Sequence, residues 1–384
     1  MPSRGIKQVQ LAWGDGSYGH NTVHLLRGER AILALQGLLI RFSERCCAQS
    51  GTLLDLPYFL QKPGLLKRVP YLILVSRRSG VPCDALQPAD LVGSVLLLEY
   101  RLLGLGTQAF ASNDRSGSGT LLAMPEDRMS VGAAACELLI SRGASVVMLS
   151  FAGAPGAQYQ PSFQRFSDPL LGLQWAVRSR CAPSYLQLRE TLDATLGQLG
   201  QKTRSNMRYY RRKAEKELGC YPVAEVVADD EELLRFNTEC MYPVDAATLR
   251  WRLKALRRLT HPYLMGMKDR EGRWLSILAG RRFGDTSEIL WQLNRDGYSN
   301  QSFSTVMRSY CIEQELACGA HRLQVEGGTF HSMNHSFVRE EILDMVVIRP
   351  LAKRVLQSVV TRYVPADNSL ADMLKSNDLV WQRG

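Results

Sequence analysis

YLMGMKD, DREG, RWLSILAGRRF, GDTS and EILWQLN follow one another from Tyr263 to Asn294, and their alternation decides the fold. Three runs rich in Leu, Ile, Trp and Tyr are separated by two turn sequences, Asp269–Gly272 and Gly284–Ser287. Such runs with Gly and Asp breaks predict an antiparallel meander. A loop rich in Asn, Gly and Ser then leads into QSFSTVMRSYCIEQELACGAHRLQVEGG, Gln301–Gly328. Ser302 suits a helix N-cap, and Gly319 stands where a helix-ending glycine belongs. HRLQV (His321–Val325) predicts a short buried strand.

The order strand, strand, strand, helix, strand resembles the coenzyme-A core of the GNAT acyltransferases. That likeness implies a pyrophosphate on the helix N-terminus, where unpaired N–H groups and the helix dipole favour an anion. LDATLGQLGQKTRSNMRYYRRKAEKELGCYPVAEV (Leu192–Val226) resembles the segment opening the catalytic domain of tandem GNAT acyltransferases of the CelD type, which include FemABX peptidyltransferases among their relatives. Family members often carry Gly in the turn before the helix. Here that turn reads Ser302-Phe303-Ser304-Thr305.

A chain of 384 residues predicts two domains. A hydrophobic content of 45% and 22% charged residues fit a globular protein. No apolar run reaches membrane-span length. The start MPSRGIKQVQLAWGDGS lacks a signal-peptide core, and nine cysteines without a CxxC pair suit reduced thiols. A cytoplasmic protein is expected. The 47 basic and 37 acidic residues leave a net charge of +10, which favours anionic partners, coenzyme A among them.

The two halves look duplicated. CELLISRGASVVMLSFAG (Cys136–Gly153) and CIEQELACGAHRLQVEGG (Cys311–Gly328) both read as helix end, Gly-Ala, strand. Aligning Gly143 with Gly319 places Ala144 on Ala320 and Val147 on Leu323. Val69–Arg77 and Leu91–Leu102 predict strands. Gly28–Cys46 predicts one amphipathic helix with Ile32, Leu35, Leu39 and Phe42 on its apolar face. AGAPGAQYQPSFQRFSDP (Ala152–Pro169) predicts the connection between halves. The expected architecture is α/β: two GNAT-like units in tandem, with mixed, mostly antiparallel sheets flanked by helices. Residues 1–170 form a degenerate N-terminal copy and residues 171–384 the acyltransferase domain. Within Ala111–Ile140 a long polar loop and Pro125 precede the helix of the first half, and the resemblance implies that this copy is degenerate and structural.

Several residues carry the expected chemistry. Hydroxyls and free N–H groups at Ser302, Ser304 and Thr305 suit a diphosphate; simple capping by Ser302 explains the same residue types. Gln292, Leu293 and Asn294, at the end of the preceding strand, suit thioester binding and a backbone donor for the oxyanion. Glu326 follows the strand His321–Val325 beside Gly327-Gly328. The resemblance maps an acidic residue onto it, and it is the first candidate base for the attacking ammonium. Glu288 is the second. His331 and His335, four apart, lack HExxH and a third ligand, so no metal is expected; His335 is a candidate positioning or proton-relay residue. Lys202–Leu218 predicts a basic helix with Met207, Tyr210, Ala214 and Leu218 on its apolar stripe. Arg204, Arg208, Arg211 and Arg212 crowd the other face, as anion contacts or as a solvated surface. No GxSxG or Walker motif is present, so chemistry requires an activated donor.

The expected reaction is transfer of an acyl group, acetyl or longer, from acyl-CoA to a small-molecule amine. The alternatives are a FemABX-like aminoacyl-tRNA-dependent ligase, with tRNA as partner, and a non-catalytic binding protein of the same fold.

Overall fold

A computed structural model describes residues 7–11, 21–47, 69–102, 105–112, 121–153, 173–257, 259, 261–325, 332–354 and 382–383. Along the chain run β1 (Lys7–Leu11), β2 (Asn21–Arg27), α1 (Glu29–Leu33), α2 (Gln36–Cys47), β3 (Val69–Ser76), β4 (Leu91–Leu102), β5 (Leu105–Ala111), β6 (Leu121–Ala123), α3 (Arg128–Ser141), β7 (Val146–Ala152) and β8 (Gln174–Gln187). Then come α4 (Leu192–Gly197), α5 (Gln201–Leu218), β9 (Tyr221–Val223), α6 (Asp230–Thr238), α7 (Ala246–Leu256), β10 (Pro262–Lys268), β11 (Trp274–Phe283), β12 (Thr286–Asn294), α8 (Phe303–Ala317), β13 (Arg322–Val325), β14 (Val338–Ile348) and β15 (Gln382–Arg383).

These elements form two compact units, residues 1–182 with 340–384, and residues 183–339. The tail after residue 339 thus joins the first unit, where a simple division into 1–170 and 171–384 would assign it to the second. The cause is a long-range pairing: β14 lies antiparallel on β7, from Ile342↔Ala152 to Ile348↔Val146.

In the first unit the strand order is β1-β2-β3-β4-β5-β7-β14-β8. β2 to β5 make an antiparallel meander, and β7 returns parallel to β5. α3 packs Val131, Ala134, Leu138 and Leu139 on one face of this sheet. α1 and α2 cover the other through Ile32, Leu35, Leu39 and Phe42, against Leu26, Leu72, Leu74 and Leu96. The apolar stripe lies as its spacing predicts, but the single helix expected over Gly28–Cys46 breaks at Ala34–Leu35. There the Leu35 N–H bonds back only three residues, to the Ile32 carbonyl (3.0 Å). Gly37, a poor helix former, follows immediately and offers little to hold the helix straight.

The second unit repeats the order. β10 to β12 form the antiparallel meander read from the sequence, turning at Gly272 and Gly284, which take the positive φ angles of 79° and 55° that glycine adopts without strain; β9 adds an antiparallel strand beside β10. α8 follows, and β13 returns parallel to β12. α5 and α8 pack Met207, Ala214, Phe303, Val306 and Met307 over one face with Leu278 and Ile289. α6 and α7 cover the other with Leu233, Phe236, Leu249 and Leu253 against Ile277 and Leu293. The fold is therefore α/β, with two units that repeat one order of mixed, mostly antiparallel strands flanked by helices, as expected.

Candidate functional site

The site is built on β12 and the start of α8. β12 and β13 pair over four positions, from Thr286↔Arg322 to Ile289↔Val325. On its other side β12 pairs with β11 as far as Asn294. One extra residue, Leu290, sits between the pairs Gly280↔Ile289 and Ala279↔Trp291. Such a bulge bends a strand and frees a backbone group from the ladder. Nothing in the apolar run EILWQLN marks it.

After β12 the chain forms a 3₁₀ turn at Ser299–Gln301 and enters α8 through Ser302. Ser302 is left-handed (φ 48°), and its hydroxyl makes no cap to the helix backbone. The hydroxyl lies 2.8 Å from that of Thr305. This corrects the simple capping expectation: the residue occupies the N-cap position, but its side chain serves a neighbouring hydroxyl. The first N–H groups of α8 precede the first intrahelical bond, and the first turn carries no acidic residue. Ser302, Ser304 and Thr305 are thus brought together at a helix start. The turn is braced by α5: Lys213 Nζ donates to the Asn300 carbonyl (3.2 Å), and Gln301 Nε2 donates to Glu217 (2.6 Å). The rings of Tyr298 and Phe303 lie 5.0 Å apart. Further along α8, Arg308 is 5% exposed, and burial lowers its pKa to about 10, so it stays cationic at neutral pH.

Gln292, Leu293 and Asn294 lie opposite Leu278, Ile277 and Ser276 on β11. Gln292 and Asn294 share the face of Leu278, toward α8, while Leu293 packs beneath α6 and α7. Glu288 projects from the opposite face to Gln292, because Leu290 shifts the alternation. Its carboxylate is 2.6 Å from Arg281 Nε, with both side chains largely buried. Its carboxylate is therefore engaged across the strands by a guanidinium. His335 is exposed in the short turn Ser332–Ser336. Glu326 and His331 lie outside the described residues. Among the described residues no group of three or more His, Cys, Asp or Glu side chains is placed to hold a metal ion, and no helix is long and apolar enough to cross a membrane.

Two arginines on the basic face of α5 have carboxylate partners. Arg208 pairs with Asp193 (2.7 Å). Arg211 pairs with Glu215 (3.0 Å) and Glu313 (2.7 Å) and lies over the Tyr310 ring. Burial alone would lower the Arg211 pKa, but the two carboxylates raise it. Arg212 Nε bonds the Arg208 carbonyl. A groove of about 320 Å³ runs here, lined by Leu192, Leu196, Met207, Arg208, Ser309 and Glu313 among others.

No protein-family model matches the chain, and no curated protein does. Solved structures do. The crystal structure of FemX superposes with a TM-score of 0.49 at 11% identity, covering 84% of this chain and 98% of that one. The structure of L-PGS from Bacillus licheniformis gives 0.46 at 10% identity, over 84% and 96%. A tandem GNAT protein from the clavulanic acid biosynthesis pathway gives 0.39 at 11% identity, over 90% and 98%.

Proposed function

We propose that the protein transfers an acyl group from a coenzyme-A thioester to an amine, using the second unit. The observation that carries this reading is the start of α8: N–H groups that precede the first intrahelical bond, three hydroxyls and no carboxylate, placed just after β12. In this reading the diphosphate of the donor rests on Ser302, Ser304 and Thr305, stabilised by the helix dipole. The acyl arm follows β12 toward Leu290. A backbone N–H at the Leu290 bulge of β12 bonds the thioester carbonyl as it becomes an oxyanion. The amine attacks the carbonyl carbon, the C–S bond breaks, and coenzyme A leaves as its thiol after taking up a proton. Glu326, next in sequence after β13, is the base this reading assigns to the ammonium. Glu288 is committed to Arg281.

The second reading, an aminoacyl-tRNA-dependent ligase, draws on the basic face of α5. It is the weaker one, because Arg208 and Arg211 already have carboxylate partners.

Thermal denaturation with acyl-CoAs of increasing chain length tests the first reading. A ligand that binds only the folded state raises the melting temperature by mass action. A rise with at least one acyl-CoA is expected. No rise with any at millimolar concentration, together with tRNA co-purification that falls steeply with salt, would favour the second reading.

A further inference from the structure

α5 carries more positive charge than its packing requires. Its 18 residues hold seven Lys and Arg against two Glu. Part of this charge is used inside the unit: Arg208 meets Asp193, Arg211 meets Glu215 and Glu313, and Lys213 holds the Asn300 carbonyl. Lys202, Arg212 and Lys216 are exposed and have no carboxylate partner among the described residues. Together with Tyr209, which is 52% exposed, they follow one another along one side of the helix, at intervals of seven, three and four residues. The stripe is costly to keep. Arg208, Arg212 and Lys216 are spaced four apart, and like charges at that spacing oppose the helix. A half-exposed tyrosine among them leaves apolar surface in water. The packing of the second unit asks for neither, since the buried side chains of α5 are Met207 and Ala214.

Its place is particular. α5 packs along α8, and the end of α5 that carries Lys216 adjoins the start of α8. There Lys213 and Glu217 bond Asn300 and Gln301. Arg270, also exposed, sits at the same end, donating to the Glu217 carbonyl (2.9 Å). From there the stripe runs back about 21 Å to Lys202. The 3′-phosphate of free coenzyme A meets cations at the near end but does not span such a row. Beside the stripe, Arg208 and Arg212 also line the groove of about 320 Å³ that Leu192, Leu196 and Met207 share. A row of cations next to an apolar groove is complementary to an acidic helix with one projecting apolar side chain.

We infer that the donor reaches the second unit on a carrier: a small acidic protein whose phosphopantetheine arm holds the acyl group as a thioester, docked by an acidic helix on the stripe of Lys202, Tyr209, Arg212 and Lys216. The inference rests on the acyl-thioester reading and names the form of its donor. The chemistry is unchanged. The amine nitrogen bonds the carbonyl carbon, the C–S bond breaks, and the carrier's thiolate takes up a proton as the nitrogen loses one. A nucleic acid is the weaker partner. Its phosphate backbone offers no apolar group to the groove, and the stripe holds one exposed ring where base stacking uses several.

The test titrates a type II acyl carrier protein, acetylated on its arm, and acetyl-CoA by calorimetry at low salt. The variant is Lys202→Glu with Tyr209→Ser, toward the end of the stripe that coenzyme A does not reach. Both side chains are exposed, and a carboxylate in the first turn of α5 suits the helix dipole, so the melting temperature should hold. The natural chain should bind the acetylated carrier, less tightly as salt rises. The variant should lose about tenfold in carrier affinity and keep its acetyl-CoA Kd. If the double variant melts lower, Arg212→Glu alone, which relieves the like-charge spacing, should weaken the carrier more than acetyl-CoA. An unchanged carrier Kd, or equal weakening of both donors, overturns the inference. So does binding of acetyl-CoA but not of the carrier by the natural chain, which leaves the acyl-CoA reading standing. Tighter binding of tRNA than of the carrier, with the same loss in the variant, overturns it in favour of a nucleic acid. Binding of the carrier alone upholds it. If the natural chain binds neither donor, the reading itself fails and the carrier falls with it.

Discussion

Residues 105–152 and 286–325 follow the same course, a strand, a helix and a parallel strand, and their helices end alike but begin differently. At the ends, Gly143 (φ 95°) and Gly319 (φ 82°) take the same left-handed turn. The Ala144 N–H bonds the Leu139 carbonyl at 2.9 Å, and the Ala320 N–H bonds the Glu315 carbonyl at 2.9 Å. At the starts, α3 enters through Pro125–Asp127, with Asp127 buried at its N-cap and Glu126 beside it. α8 enters through Ser302, with no acidic residue in its first turn. A helix end of this kind satisfies carbonyls and turns the chain into its strand, which any copy of the fold requires. A helix start is where the two copies can differ in chemistry. The first already holds a carboxylate where the dipole favours an anion, and the second leaves that place to hydroxyls and N–H groups.

The comparison can be sharpened inside the helices. Glu315 of α8 aligns with Leu139 of α3. Glu315 is fully buried and paired with Arg282 through two bonds of 2.8 Å. Those bonds, led by the one from the guanidinium to Glu315, raise the Arg282 pKa. Glu315→Leu makes the second copy resemble the first but strands the guanidinium. Urea unfolding should show a loss of about 2–4 kcal/mol, and Arg282→Leu with Glu315→Leu should recover most of it. A neutral single substitution would mean that the pair carries no stability.

A second contrast is titratable. His24 in β2 of the first unit is fully buried, and neither ring nitrogen has a partner. Burial lowers its pKa below the ordinary 6.5. The unfolded chain therefore binds the proton first. The stability of the first unit should hold above pH 6.5 and fall as the pH drops below it, toward the folded pKa. His24→Leu should flatten that fall in thermal melts between pH 7 and 5. A profile that His24→Leu leaves unchanged would place the acid sensitivity elsewhere.

The smallest effect concerns Ser302. Because its hydroxyl caps no backbone group, Ser302→Ala should cost less than the ~1 kcal/mol of a lost N-cap. A larger loss by denaturant unfolding would restore the capping role.

Local chemistry made much of this architecture legible. Gly272, Gly284 and Gly319 stand where the turns require them, and the apolar runs between them become β10 to β13. The Met207–Ala214 stripe of α5 packs as its spacing predicts. What stayed hidden depends on distant partners. The return of β14 to β7 joins residues nearly two hundred positions apart, and no local pattern announces it. The Leu290 bulge is set by the register against β11. Strand position alone singles out Gln292 and Asn294 as candidates. Their side-chain network required Ser276, which lies on another strand. Glu288 drew notice by its position in β12, but the cross-strand Arg281 that holds it could not be inferred without the pairing.

The central claim is that one copy, the second, holds the acyl donor at the start of α8. The most direct measurement is the stoichiometry of acyl-CoA binding by native mass spectrometry, for the natural chain and for Ser304→Glu. The substitution gives the second copy an acid at its helix start, like the first. A carboxylate there is favourable to the helix, so the fold should survive. The account predicts one acyl-CoA per natural chain and none on folded Ser304→Glu. Two bound per chain, or undiminished binding by the folded variant, would contradict it.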